Sequence, residues 1–292
     1  MPSSIEWLKQ PDGSQGSSWN VVTGCKPDFP CWQRCYARRM AQRLAGRYGY
    51  PRDDPFAPTF HPDKLDQPLH WKKPRTIFVS SMGDLFADGV KREWQDAVID
   101  VILADTPHTF ILLTKRVKEA GEYLSRLYLP DFGERLVIGT SVSNQAEWDE
   151  RVPLLCSIPA WRRVVSVEPM LGPIAHMRQI RTFVTEEYTV DPEIHGVICG
   201  CETGPGARPC HPAWIRSLRD QCVAAGASFF FKSWGEWMPT DPATDGWALA
   251  GSRLKTEHIG EQEFYRVGKK RAGRILDGRE HNDVAWGRKE KS

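Results

Sequence analysis

Cys25, Cys31 and Cys35 form a C-x5-C-x3-C pattern in a chain of 292 residues, and Tyr36 follows the last of the three. Thiolates are soft donors. Three from one loop can hold three irons of a cubane [4Fe–4S] cluster and leave the fourth iron open to a second molecule. Zinc is the competing reading, because a structural zinc needs a fourth Cys or His. No C-x2-C pair or H-x3-5-H spacing stands nearby, though His61 or a distant Cys could complete such a site. Unliganded thiols are the third reading. The eight Cys (25, 31, 35, 156, 199, 201, 210, 222) read as ligands or core residues of a reducing compartment rather than as disulfides.

A cluster loop needs a scaffold, and seven short apolar runs supply strand candidates. They are Trp19–Thr23, Thr76–Ser80, Phe110–Thr114, Leu136–Thr140, Arg163–Val167, Gly196–Gly200 and Ser228–Phe231. Each is nearly continuous in apolar residues, as strands buried on both faces of a parallel sheet must be. From the second run onward they start roughly 30 residues apart, one strand plus one crossover helix. Glu93–Ala104, Lys118–Tyr128, Gln145–Leu155 and Pro212–Ala225 supply amphipathic helices for those intervals. The expected class is α/β, a TIM-like (β/α) barrel, complete or partial. The barrel domain is placed at 1–237, with the cluster loop at 25–35, and a C-terminal extension packing on it at 238–292. Pro51–Pro74 carries too many breakers for regular structure.

In parallel barrels, reactive groups sit where strands end. The residues there are Ser81 and Asp84 after the second run, Lys115 and Arg116 after the third, and Ser141, Ser143 and Asn144 after the fourth. Glu168 follows the fifth, Cys201 and Glu202 the sixth, and Lys232 and Glu236 the seventh, so all seven ends point to one rim. Solvated loops are polar in any protein, which accounts for part of this set. A loop acceptor or helix cap is the competing reading of Asp84, and Glu168 precedes Pro169, which asks for extended backbone, so a structural role competes equally there. Glu202–Pro209 is a Gly/Pro-rich turn carrying Arg208, able to offer N–H groups and a guanidinium to a ligand. Cys199, Cys201 and Cys210 read as small buried thiols, with a second cluster as the sharper alternative.

The stretch from Trp19 to Tyr50 resembles the cluster loop and first helix of radical S-adenosylmethionine (SAM) enzymes, whose familiar spacing is C-x3-C-x2-C. Both intervals here are longer, by two residues and by one. The segments SSMGDLF, LLTKR, IGTSVSNQ, SVEPMLGPI, GCETGPGARP, FFFKSWGEW and KKRAGRILDGRE resemble a narrower group, the phage-associated three-cysteine-motif proteins. The resemblance runs from Ile5 to about Gly278 and implies a [4Fe–4S] cluster on Cys25, Cys31 and Cys35 with SAM on its open iron. It further implies SAM contacts from Asp84, Ser141, Ser143, Asn144, Glu202 and Arg208, and Glu168 and Lys232 as catalytic residues. A reductase or flavodoxin-type electron donor and a partner protein encoded nearby belong to the same expectation.

With 39 Lys+Arg against 37 Asp+Glu, the net charge of +2 does not by itself mark a nucleic-acid binder. Local clustering does more. Arg39, Arg43 and Arg47 recur every four positions, opposite Ala37, Met40, Ala41 and Leu44, and no acid occurs from Cys31 to Arg52. Lys269, Lys270, Arg271 and Arg274 form a second basic cluster. Interleaved with Trp32, Trp234 and Trp237, these patches suit a nucleotide or nucleic-acid substrate through phosphate contacts and stacking. No run of about 18 apolar residues and no basic-then-apolar start occurs, so the expectation is a cytoplasmic protein with no membrane partner. The alternative to an enzyme is a binding protein of phage or mobile-element origin, in which Zn or Fe–S serves only structure. A metal-free hydrolase or transferase built on Asp84, Glu168 and Lys232 matches no nucleophile–base spacing.

Overall fold

A computed structural model describes residues 3, 5–9, 16–26, 34–127, 135–158, 160–177, 194–240 and 254–286. In chain order the elements are β1 (Ser17–Trp19), β2 (Val22–Thr23), α1 (Tyr36–Arg43), β3 (Thr59–Phe60), β4 (Thr76–Val79) and α2 (Arg92–Leu103). There follow β5 (Thr109–Thr114), α3 (Val117–Leu124), β6 (Leu136–Val142), α4 (Gln145–Cys156), β7 (Arg162–Val167), β8 (Gly196–Gly200), α5 (Pro212–Ala224) and β9 (Ser228–Ser233). The chain continues through β10 (Trp237–Pro239), β11 (Thr256–Ile259), β12 (Gln262–Arg266) and α6 (Lys269–Ala272). The class is α/β. Seven strands form one sheet in the order β1-β4-β5-β6-β7-β8-β9, beginning at β1 and ending at β9. Among the described residues, no helix is long and apolar enough to cross a membrane.

The chain divides into two compact units. The first comprises residues 1–140, 157–163 and 286–292. Its strands β1, β4, β5 and β6 pair in parallel. Ile77, Val79, Phe110, Ile111, Leu112, Val137 and Ile138 are buried, as the continuous apolar runs require. Val98, Ile99, Val101 and Ile102 of α2 are buried too. One expectation needs correction here: Trp19–Thr23 is not one strand. Trp19 ends β1, while Val22 and Thr23 pair antiparallel with Phe60 and Thr59. Asn20 sits between them, its Oδ1 accepting from Ser81 Oγ (3.1 Å) and Met82 N–H (3.0 Å), so a polar anchor separates the two pairings. For the same reason the Pro-rich stretch is not wholly irregular, since it contributes β3.

The second unit comprises residues 141–156 and 164–285. Its centre is β8, buried at all five positions and paired in parallel with β7 and β9. Helix α5 starts on Pro212, with His211 capping the Ala213 N–H at 3.1 Å, and buries Ile215, Leu218 and Cys222. The region after Trp237, where the apolar pattern fades in the sequence, contains an antiparallel sheet in the order β10-β12-β11. Its core is small: Trp237 and Phe264 pack with Ala207. α6 lies inside the basic cluster of Lys269, Lys270, Arg271 and Arg274.

A double ion pair ties the C-terminal segment to α5. Asp277 accepts from Arg216 Nε at 2.8 Å and Arg219 Nη1 at 2.5 Å. Burial alone would raise the Asp277 carboxyl, but the hydrogen bonds from Arg219 and Arg216 outweigh it and hold the group below its ordinary value. A depressed carboxylate contributes stability above its unfolded value near 3.9, and that contribution is lost as pH falls through the folded value. Asp277 has φ 53°, which Asn tolerates as well as Asp. Asp277→Asn is therefore expected to lower the melting temperature at pH 7 by about 1–2 °C, as a partly exposed pair should. The difference should shrink as the pH is lowered through the depressed folded value of Asp277; a loss that stays the same as the carboxyl is protonated would remove the ion pair as its cause.

Candidate functional site

Cys25 is set in the first unit by two glycines. Gly24 and Gly83 form an isolated parallel bridge, with Gly24 N–H donating to the Met82 carbonyl (3.0 Å) and Asp84 N–H to the Gly24 carbonyl (3.2 Å). A methyl group on Gly83 would come within 2.7 Å of the Gly24 oxygen, and one on Gly24 within 2.3 Å of the Ala57 oxygen. Gly24 also holds φ 90°, a left-handed value that a side chain disfavours. This contact carries Cys25 to the end of β4, where its N–H donates to the Phe56 carbonyl at 3.1 Å. Cys25 and Cys35 both pack against Ala37, Ala41, Tyr50 and Phe56. Tyr36, beside Cys35, donates its hydroxyl to the Ser81 carbonyl.

Asp84 is 6% exposed and engaged by neighbouring donors. Its Oδ1 accepts from Thr114 Oγ1 (2.8 Å) and Phe86 N–H (3.0 Å), and its Oδ2 from Lys115 N–H (3.0 Å). Three of about four acceptor directions of the carboxylate are thus filled. Thr114 in turn accepts from Arg116 N–H at 2.9 Å, so the end of β5 is stitched to the loop after β4. Burial pushes the Cys25 thiol up to about 12, with the Asp84 carboxylate and Cys35 adding to it and Arg116 opposing. Two soft donors packed on the same apolar cluster fit a thiolate-held metal group, because a cation would offset the cost of ionising Cys25 there. Cys31 and Trp32 lie outside the described residues, and among the described residues no three His, Cys, Asp or Glu are grouped to hold a metal. His61 is placed otherwise: buried, its Nε2 lies 2.8 Å from Thr23 Oγ1.

In the second unit, Glu168 Oε1 meets Lys232 Nζ at 2.8 Å, and Glu168 Oε2 accepts from Ser166 Oγ at 3.2 Å. Gly200 makes the room, since a methyl there would lie 2.8 Å from Glu168 Oε1. The side chains are 18% and 29% exposed, so the pair is within reach of a ligand without being a surface bridge. Lys232 and Ser141 lie inside β9 and β6 rather than after them, because both strands run about two residues further than their apolar runs suggest. Asn144 Oδ1 accepts from Glu147 N–H (3.0 Å), while Glu147 Oε2 accepts from Ser143 N–H (2.7 Å), a capping arrangement that starts α4. Arg151 Nη1 donates to the Ser141 carbonyl at 2.7 Å.

Glu202 is buried and takes a bidentate contact from Arg208, Nε to Oε2 and Nη2 to Oε1, both 2.9 Å, plus the Arg208 N–H at 2.9 Å. Glu236 Oε1 accepts from Gly204 N–H at 2.9 Å, bracing the same turn. Burial first, and the neighbouring Cys210, keep Cys201 well above the ordinary thiol value, and burial does the same for Cys199. These are neutral, enclosed thiols. Trp234 and Trp237 are buried and donate their indole N–H groups to the carbonyls of Ile275 and Ala207, so they are core residues and not stacking platforms. Arg274 is likewise turned inward, donating to the Phe231 carbonyl at 3.1 Å. Sequence reasoning missed Gly24, Gly83 and Gly200, whose signal is the absence of a side chain beside a reactive one.

A family model described as "Protein of unknown function (DUF5131)" matches residues 2–285. The chain belongs to the DUF5131 family. A search of curated proteins returns no match. Among solved structures, this DUF5131 chain is similar to a double mutant of spore photoproduct lyase with bound AdoMet and dinucleoside spore photoproduct. Identity is 11%, with a TM-score of 0.45 over 93% of this chain and 72% of that one. A single-site mutant of the same lyase matches at 12% identity and a TM-score of 0.42, over 92% and 73%.

Asp84→Asn tests whether the carboxylate is the latch of the first unit. Asn offers one acceptor oxygen and turns an NH2 toward a donor, so a buried N–H loses its partner, at a cost of about 2 kcal/mol. The urea midpoint should fall by that equivalent at unchanged slope; an unchanged midpoint would show that Asp84 is not holding the loop.

Proposed function

We propose that this DUF5131 chain is an iron–sulfur enzyme of the radical SAM type, in which Cys25, Cys31 and Cys35 hold a [4Fe–4S] cluster that binds SAM at its open iron. The observation that supports it is the Gly24–Gly83 contact, which seats Cys25 beside Asp84 and in the same apolar cluster as Cys35. When bound, such a group supplies one electron for splitting the SAM sulfonium and so a 5′-deoxyadenosyl radical. The residues of the chain do the rest. The thiols orient the cluster, the remaining acceptor direction of Asp84 complements the SAM ammonium, and the packing of Ala37, Ala41, Tyr50 and Phe56 limits water around the donors. Glu168 and Lys232 hold a proton between Oε1 and Nζ and serve as the catalytic pair toward a substrate. The substrate class is a nucleobase, nucleotide or nucleic acid, and the electron donor a reductase or flavodoxin-type protein.

The packing of Cys25 and Cys35 on the core of α1 also favours a second reading, a metal that only holds the loop in place. Anaerobic reconstitution separates the two. The enzyme reading expects about four iron and four sulfide per chain, an absorption change on adding SAM, and 5′-deoxyadenosine after dithionite. Cys25→Ala, Cys31→Ala and Cys35→Ala should each abolish nucleoside release and lower iron content. Zinc without sulfide, or a full cluster that releases no 5′-deoxyadenosine, would overturn it.

A further inference from the structure

We infer that the outer face of α1 and the turn after it form a binding surface for single-stranded nucleic acid. Charge comes first. Arg92, Arg135, Arg151, Arg208, Arg216 and Arg219 each lie within 4 Å of a carboxylate. Among the described residues no carboxylate pairs with Arg39, Arg43 or Arg47, and the sequence has no acid from Cys31 to Arg52. Arg47 lies just past the helix end and donates to the Arg43 carbonyl, which places its guanidinium over the last turn while leaving its charge in the field. Such a face attracts a polyanion.

The second observation is aromatic. The sequence places Met40 opposite the arginines with Ala37 and Ala41, yet unlike those two it is not buried: Met40 is 41% exposed, with Tyr36 at 54% and Tyr48 at 76%. Tyr48 adopts φ 52° between Gly46 and Gly49, both also at positive φ. A bulky L-residue is disfavoured there, and the ring gains no burial in return. Two exposed phenol rings and a thioether among unneutralised arginines are the combination that stacks bare bases while gripping their phosphates. A duplex hides its base faces, so the single strand is the better fit. Tyr36 adjoins Cys35, but Arg39, Arg43, Arg47 and Tyr48 make none of the Cys25 and Asp84 contacts described above, so this part of the surface does not depend on a cluster.

The test uses the full chain, as purified and again after anaerobic reconstitution, with a fluorescein-labelled single-stranded DNA 12-mer read by fluorescence anisotropy. The 12-mer should bind about tenfold tighter than its duplex. Combining R39A, R43A and R47A should cut the magnitude of the log K against log salt slope by about 2, near 0.7 per lost phosphate contact. Tyr48→Ala should weaken binding about tenfold at unchanged slope, and Tyr48→Phe should restore it. Changing the exposed Lys72 and Lys73 to Ala should leave the 12-mer affinity as it was, and circular dichroism confirms that each variant is folded. Competition by polyglutamate as strong as by the unlabelled 12-mer, a wild-type slope in the triple variant, or full affinity in Tyr48→Ala would each overturn the inference. Cys25→Ala should bind the 12-mer like wild type, so failure of the cluster reading and failure of this one are told apart.

Discussion

The first unit depends on a place where two backbones touch. A side chain on Gly24 or Gly83 would stand inside van der Waals contact of a main-chain oxygen, so the loop that begins with Cys25 could not dock on the end of β4. That docking is then locked from the other side, because Asp84 draws the Lys115 N–H and the Thr114 hydroxyl of the neighbouring strand end onto its carboxylate. The order matters physically. A buried carboxylate is tolerated only when its lone pairs are filled, and main-chain and hydroxyl donors fill them without a full positive charge. The result is a rigid seat for a thiol whose own ionisation is disfavoured by the same surroundings.

The same use of absent side chains recurs in the second unit. Gly200, buried in β8, leaves a notch for the Glu168 carboxylate, and Lys232 reaches it from β9. The pairing is partly solvated. It neither suffers the full desolvation cost of a buried ion pair nor relaxes into an exposed one. Glu202 and Arg208 differ: their bidentate contact closes the turn from within, and the backbone N–H of Arg208 joins it. One carboxylate is thus left partly open to solvent while the other is committed to the shape of its loop.

What the sequence made legible follows from burial. Strands enclosed on both faces leave continuous apolar runs, so six of the seven expected runs overlap the sheet strands β4 to β9, and helices α2 to α5 begin within one residue of their amphipathic segments. β1 was misplaced because its pairing residues Ser17 and Ser18 are polar, and the apolar Val22 belongs to a different pairing. The β10-β12-β11 sheet was invisible for a related reason: its strands are half-exposed and short, and only Phe264 and Trp237 are deeply buried. Trp234 and Trp237 were misread as surface rings because an indole in a charged stretch looks exposed in one dimension, whereas each N–H has found a carbonyl inside. The close spacing of Cys25 and Cys35 is plain in the sequence, and the structure packs both on one apolar cluster. The glycines that place Cys25 were not legible, since their role is to leave space.

Charge distribution resists reading from totals for the same reason. A net charge of +2 is the sum of many arginines already neutralised by nearby carboxylates and a few that are not. Pairing acts within a few ångströms, so the stretch around α1, which has no acid from Cys31 to Arg52 and, among the described residues, no carboxylate paired with Arg39, Arg43 or Arg47, keeps more of its field. The same basic character in the C-terminal cluster is partly dissipated, because Arg274 turns in to the Phe231 carbonyl and lies 3.7 Å from Glu280. Two basic clusters of similar appearance in sequence therefore differ in what they offer a partner. The difference lies in where their nearest acceptors fold to, which only the three-dimensional arrangement decides.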